Sequence, residues 1–269
     1  MAFVLESTLV WVRGAGELGS AAAVSLWRAG IPVLMTELPL PLAIRRTVTF
    51  SDAILEGTAT VEEVKAVCTT PDRVRQIIGK GQVPVIPDSL NVLADLDSDV
   101  LVDARMLKGQ GTVAYPPGLV IIGLGPGFTA GADCQAVVET QRGPNLGRVI
   151  WSGSAQPDSG VPGELGGESI QRVIYAPGAG ALKWGVEFGT LVDPGQRLGH
   201  LDGQPLTAPI GGQVRGLISP RVPVTVGLKI ADIDPRGLEV DCQMISDKAR
   251  AVGGGVLEAL LDHRRKESK

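Results

Sequence analysis

The chain has 269 residues, 44% of them hydrophobic and 20% charged, with a formal net charge of -4. Acids and bases are interspersed without a basic stripe, which argues against broad nucleic-acid binding. No run reaches the roughly 18 apolar residues of a membrane span and no signal-peptide pattern opens the sequence, so a cytoplasmic protein with a sizeable core is expected.

The first element is the short apolar run Val10-Trp11-Val12-Arg13, which leads into Gly14-Ala15-Gly16-Glu17-Leu18-Gly19. This is G-x-G-x-x-G between a strand and a helix. Gly14 permits the tight turn, Gly16 lets backbone approach a diphosphate, and Gly19 lets helix and strand pack closely. The helix is expected over 18–29, with Leu18, Ala22 and Leu26 on one face and Gly30 ending it. A second strand, Val33 to Thr36, ends on Glu37, where an acid takes ribose hydroxyls in dinucleotide-binding folds. Arg13 stands where an aliphatic residue is usual, and Arg45 and Arg46 follow Glu37; each could meet a phosphate or form a surface salt bridge.

Thr70 and Pro71 predict a helix through Ile78, and Val83 to Ile86, Val100 to Ala104 and Leu119 to Ile122 read as buried parallel strands. Lys108 lies in the loop after the second of these, at the edge where open sheets place ligands. A second glycine loop, Gly123 to Gly131, could form an anion-binding nest at Gly125, Gly127 and Gly131 or be an ordinary turn, and a helix is expected after it from Asp133 through Thr140. Cys134 would then either lie by a helix N-terminus, where a thiolate is stabilised, or be a buried inert cysteine. Cys68, Cys134, Cys242, His200 and His263 have no paired spacing, so no metal site is expected.

Glycine and proline dominate 143–168 and suggest an interdomain connection. Beyond it is a 32-residue repeat: Ala176-Pro177-Gly178-Ala179-Gly180 returns as Ala208-Pro209-Ile210-Gly211-Gly212, and Val192 and Gly195 return as Val224 and Gly227. Two such halves are expected to pair into one small β-barrel or sandwich. The pattern resembles lipoyl and biotinyl carriers and other barrel-sandwich hybrids. The turn Leu201-Asp202-Gly203-Gln204-Pro205 has no lysine to modify, which argues against a carrier. Asp232, Asp234 and Arg236 either touch a ligand or close the barrel by salt bridges. In the tail, Gly253-Gly254-Gly255 predicts a helix that starts at Gly255 and packs through Val256, Leu257, Leu260 and Leu261.

The expected architecture is therefore α/β, a Rossmann-like doubly wound parallel sheet plus a small all-β barrel-sandwich hybrid. Its expected parts are a nucleotide-binding domain at 1–150, a Gly/Pro-rich connection at 151–170, the repeat domain at 171–236 and a helical segment at 237–269.

Several stretches resemble the accessory proteins of selenium-dependent molybdenum hydroxylase systems, the YqeB-type or EF-type family. They are Arg13 to Leu18, Thr36-Glu37 with Pro41 to Val48, Leu124 to Gly131, Arg142-Gly143 with Leu146 to Ile150, and Lys229-Ile230 with Asp232 to Arg236. The first sixty residues are also similar to the nucleotide-binding half of XdhC-type maturation factors. The resemblance implies a maturation or cofactor-insertion factor whose partners are the molybdenum hydroxylase apoenzyme or cofactor-synthesis proteins. Pro144 and Gln135 replace histidines typical of that family, so no catalytic role carries over to them.

The leading expectation is an accessory protein that binds a nucleotide or a molybdopterin dinucleotide. Gly14, Gly16, Glu17, Gly19, Glu37, Arg45, Arg46, Gly125, Gly127 and Gly131 are its binding residues, and it is expected to form a homo-oligomer. NAD(P) and molybdopterin cytosine dinucleotide are the candidate ligands. One alternative is an NAD(P)-dependent oxidoreductase, for which Lys108 is the best-placed catalytic group. Others are a sulfur carrier using Cys134 and a non-catalytic docking module for the hydroxylase.

Overall fold

The structure is a computed structural model that describes residues 8–88, 98–107, 115, 117–161 and 163–267. It is a mixed α/β chain with one large, mainly parallel sheet and several small antiparallel sheets. The described residues fall into two compact units, one within Met1–Pro39, Thr49–Asp158 and Ile245–Lys269, the other within Leu40–Val48 and Ser159–Met244. This differs from the expected linear order. The C-terminal helix belongs with the N-terminal sheet, and Leu40–Val48 is an early excursion into the second unit.

In the first unit the strands and helices run β1 (Val10–Arg13), α1 (Glu17–Arg28), β2 (Val33–Glu37), α2 (Asp52–Glu56), β3 (Thr58–Val61), β4 (Val64–Cys68), α3 (Val74–Ile78), β5 (Val83–Pro87), β6 (Val100–Asp103), β7 (Val120–Leu124), β8 (Thr129–Ala130), β9 (Ala136–Val138), β10 (Val149–Ile150), β11 (Gly153–Ser154) and α4 (Asp247–Glu267). The large sheet has the order β10-β9-β7-β6-β1-β2-β5-β4-β3. From β4 to β9 every neighbouring pair is parallel, with antiparallel β3 and β10 at the edges. From β1 the chain forms β2, goes out to the edge as β3, comes back inward as β4 and β5, and then crosses to the other side of β1 as β6. The order therefore reverses between β1 and β6, and open sheets bind ligands at the carboxyl ends of such strands.

β1 is buried on both faces, as a central parallel strand must be. Val10 and Val12 pack into the cluster that contains Ala21–Leu26 of α1, while Trp11 packs with Leu34, Ile86 and Leu101 on the other face.

Three expectations about helices need correction. Asp133–Thr140 is not a helix: a turn leads into β9, which pairs with β7 from Ile122↔Ala136 to Leu124↔Val138. The β-branched pair Val137 and Val138, fully buried on opposite faces, suits a strand better than a helix. α4 does not start at Gly255 but runs unbroken through all three glycines. The residues 70–78 form a 3-10 turn, Pro71–Arg73, before the short α3.

Close packing explains two of the glycines in α4. A Cβ at Gly253 would stand 2.6 Å from Ser25 Oγ and 2.8 Å from the Ala21 carbonyl oxygen of α1. A Cβ at Gly255 would overlap the Gly147 carbonyl and stand 2.8 Å from Val138 Cγ1. Gly254 faces outward with nothing within 4 Å.

The second unit contains β12 (Val173–Tyr175), β13 (Leu182–Trp184), β14 (Leu191–Val192), β15 (Arg197–Leu201), β16 (Gln204–Thr207), β17 (Gly212–Leu217) and β18 (Lys229–Asp234). They form a four-stranded sheet, β12-β18-β17-β14, and a three-stranded one, β13-β15-β16. The 32-residue repeat is visible in its hydrogen bonds. Gly180 bridges Val224 while Gly212 pairs with Val192, its equivalent in the other half. Likewise Gly195 donates to the Ala208 carbonyl at 2.8 Å and Gly227 to the Ala176 carbonyl at 2.9 Å. The equivalent glycines share backbone conformation, with φ of 148° at Gly180 and 147° at Gly212. Each half thus completes the other, and Leu198, Ile230, Leu201 and Ile233 of both halves fill one core.

Candidate functional site

The glycine turn is held by its own surroundings. Gly14 N–H donates to the Thr36 carbonyl at 2.8 Å, and the Ala15 carbonyl accepts from Ser20 Oγ at 2.9 Å and Ser51 N–H at 3.1 Å. Gly14 and Gly19 each have a distinct reason to lack a side chain. Gly14 adopts a φ of 101°, which L side chains avoid, and a Cβ there would press on Ala104 at 3.1 Å. At Gly19 a Cβ would overlap the Gly14 carbonyl and stand 3.0 Å from Ala104 Cβ, so α1 could not approach β1.

Gly16 is different. Its φ of -70° and ψ of -174° suit any residue, and a Cβ there meets nothing within 4 Å. It is the N-cap of α1, and no side chain caps that helix. Among the described residues nothing fills the space beside Gly16, from which a ligand's phosphate could approach the N–H groups of the first turn. Glu17 opens that turn and accepts from Ser246 Oγ at 2.7 Å.

Glu37 closes the turn from the end of β2. Its Oε2 accepts from Ala15 N–H at 2.7 Å and its Oε1 from Leu38 N–H at 2.6 Å. Burial pushes its carboxyl above the usual range and the nearby Asp88 charge adds to this, against the two amides that favour the ionised form. The predicted ribose acid is therefore engaged with the turn itself.

Two charged clusters flank this centre; the sequence singles out Arg13 from them but not Asp88, Asp103, Arg105 or Tyr115. Arg13, 5% exposed, is buried rather than on the surface, and its Nε donates to Asp88 Oδ2 at 3.0 Å. On the other side Asp103, 1% exposed, ends β6; it receives Arg105 Nη2 and Tyr115 OH at 2.6 Å each. Burial first, and then the hydrogen bond to Asp103 and its charge, push the Tyr115 hydroxyl well above its ordinary range. The available signal was positional: Asp88 and Asp103 each follow or end a parallel strand at its carboxyl edge.

The other expected residues are distributed differently. Gly125 and Gly131 have φ of 71° and 88°, and Gly127 of 105°, so the second loop needs its glycines for conformation. A Cβ at Gly125 would also overlap Thr140 Oγ1. The loop leads into β8 and not into a helix. Cys134 consequently lacks the predicted helix end. Burial first, with Asp133 beside it, pushes its thiol up to about 12, the reverse of an activated thiolate. Lys108 lies outside the described residues.

Arg45 and Arg46 belong to the second unit. Arg45 donates to the carbonyls of Cys242 and Met244 at 3.2 Å each, and Arg46 lies over the Phe188 ring. Asp232 receives Arg172 and Arg215 at 2.5 and 2.9 Å, and Asp234 receives Arg215 and Arg236 at 3.2 and 2.8 Å. The described residues contain no cluster that could hold a metal ion. No helix among them is long and apolar enough to cross a membrane.

Fold and site together define a mixed α/β chain with a glycine turn at the carboxyl edge of a mainly parallel sheet. No family model matches the chain, and no solved structure matches it. Over 255 residues, 94% of its length, it is 44% identical to a protein of Escherichia coli (strain K12) called "Uncharacterized protein YqeB". The alignment takes in 47% of that protein, so the chain spans about half the length of this curated relative.

Proposed function

We propose that the chain is a nucleotide-binding accessory factor for maturation of, or cofactor insertion into, a molybdenum hydroxylase, and that its first unit is a Rossmann-like nucleotide-binding domain. The observation that carries the binding half is Gly16, where neither backbone nor packing demands glycine and where, among the described residues, no side chain caps α1. The strand order supports the same reading, because the turn leaves β1 where the sheet reverses. The maturation half rests on the sequence resemblance, and the 44% identity to a protein named YqeB supports that resemblance by name alone.

A molybdopterin dinucleotide and NAD(P) share the diphosphate that this turn fits. Gly14, Gly16 and Gly19 would shape the diphosphate seat, with Glu37 fixing the turn around it. The pterin of such a dinucleotide supplies a molybdenum-binding dithiolene; this chain's part is to hold and orient the nucleotide end. The acids around the turn are anchored by arginines or amides, which favours holding a ligand over transferring protons. The second unit is, on this reading, a barrel-sandwich hybrid without a carrier lysine, since Asp202 and Gly203 form the turn where one would stand.

Titration with NAD, NADP, CTP and molybdopterin cytosine dinucleotide tests the reading. Saturable binding of at least one at micromolar concentration supports it. Failure of all four, with the protein folded, overturns it.

A further inference from the structure

The ion pair between Arg13 and Asp88 is incomplete on both sides. Arg13 Nη1 and Asp88 Oδ1 are buried and, among the described residues, have no hydrogen-bond partner. Leaving both a donor and an acceptor unmet costs free energy, and such groups call for a specific explanation. β1, β2 and β5 are neighbours in that order, so the Arg13–Asp88 pair bridges over the carboxyl end of β2. Asp88 N–H also donates to the Glu37 carbonyl at 2.6 Å, which seats Asp88 directly beside Glu37. Glu37 itself spends both carboxylate oxygens on the Ala15 and Leu38 amides.

A hydroxyl both donates and accepts, and one hydroxyl can therefore satisfy Asp88 Oδ1 and Arg13 Nη1 together. The hydroxyl-bearing group attached to a diphosphate held at the glycine turn is a ribose. We propose that Asp88 and Arg13, rather than Glu37, read a ribose hydroxyl of a ribonucleoside diphosphate, whether free or as part of a dinucleotide. The inference rests on the nucleotide-binding reading above and names the ligand class and the residues that select it. Glu37 acts on the turn: it orders the backbone that meets the diphosphate and is indifferent to the sugar.

The test measures affinities of the full chain for ADP and CDP and for their 2′-deoxy and 3′-deoxy counterparts by calorimetry. The wild type is expected to prefer the ribose forms over at least one deoxy series by roughly 10–100-fold, the worth of one charge-assisted hydrogen bond. Asp88→Asn should reduce that preference to below about threefold by weakening the ribose forms alone. Glu37→Gln should weaken ribose and deoxyribose forms by the same factor. Because Asp88→Asn leaves a buried arginine, the paired replacement Arg13→Met with Asp88→Leu provides a second, uncharged variant, which should lose the preference equally. A wild type that binds all three sugars alike overturns this inference and leaves the nucleotide-binding reading standing. So does a preference that survives Asp88→Asn and disappears in Glu37→Gln. A wild type that binds none of these nucleotides, nor the four tested above, overturns both.

Discussion

Gly19 lies against the carbonyl of Gly14, so close that a Cβ at residue 19 would overlap that oxygen. Helix and strand meet at this point because neither residue has a side chain. Gly19→Ala must push α1 away from β1 or distort the turn. Overpacking of this kind costs about 1–3 kcal/mol, and it should appear as a fall in the denaturation midpoint together with weakened nucleotide binding.

The three glycines of α4 should respond differently to the same change. Gly254 faces outward, so Gly254→Ala should stabilise the protein by about 1 kcal/mol through helix propensity. Gly253→Ala and Gly255→Ala should destabilise it, because the new methyl groups meet Ala21, Ser25, Gly147 and Val138. Thermal unfolding of the three variants side by side checks the sign of each; a uniform gain would contradict the close helix packing.

In the second unit, burial alone would raise the Asp234 carboxyl, but hydrogen bonds from Arg236 and the charges of Arg236 and Arg215 hold it down to about 2 from an ordinary 3.8. A carboxylate with a lowered folded-state value stabilises the fold above its unfolded value and loses that contribution as pH falls. The denaturant midpoint should therefore drop between pH 4 and pH 2, and Asp234→Asn should flatten that part of the profile. Equal profiles for variant and wild type would remove Asp234 from the account.

What the sequence revealed was local or periodic. The path from Val10 through Gly14, Gly16 and Gly19 to Glu37 reads directly because turn chemistry and the helical period lie within thirty residues. The 32-residue repeat was legible for the same reason, and its cross-pairing of Gly180 with Val224 and Gly212 with Val192 follows from each half being unable to close alone. Long-range pairings left no comparable trace. Nothing near Gly253 announces that α1 will take up the space its side chain lacks, and nothing near Arg13 announces Asp88, 75 residues away. The misread segment 133–140 shows the limit within short range, since Ala136-Val137-Val138 fits a buried strand or a helix by hydropathy alone. Partnership with β7 decides it.

On the nucleotide-binding reading, Gly16 is open for a ligand and not for the fold. Gly16→Asp separates the two, because aspartate is a favoured N-cap and its carboxylate would occupy the N–H groups that a diphosphate needs. The decisive measurement is nucleotide affinity by calorimetry alongside thermal stability, for Gly16→Asp and the wild type. The account predicts a melting temperature equal to or above the wild type's with at least tenfold weaker nucleotide binding. A variant that is stable and binds nucleotide as the wild type does would contradict it.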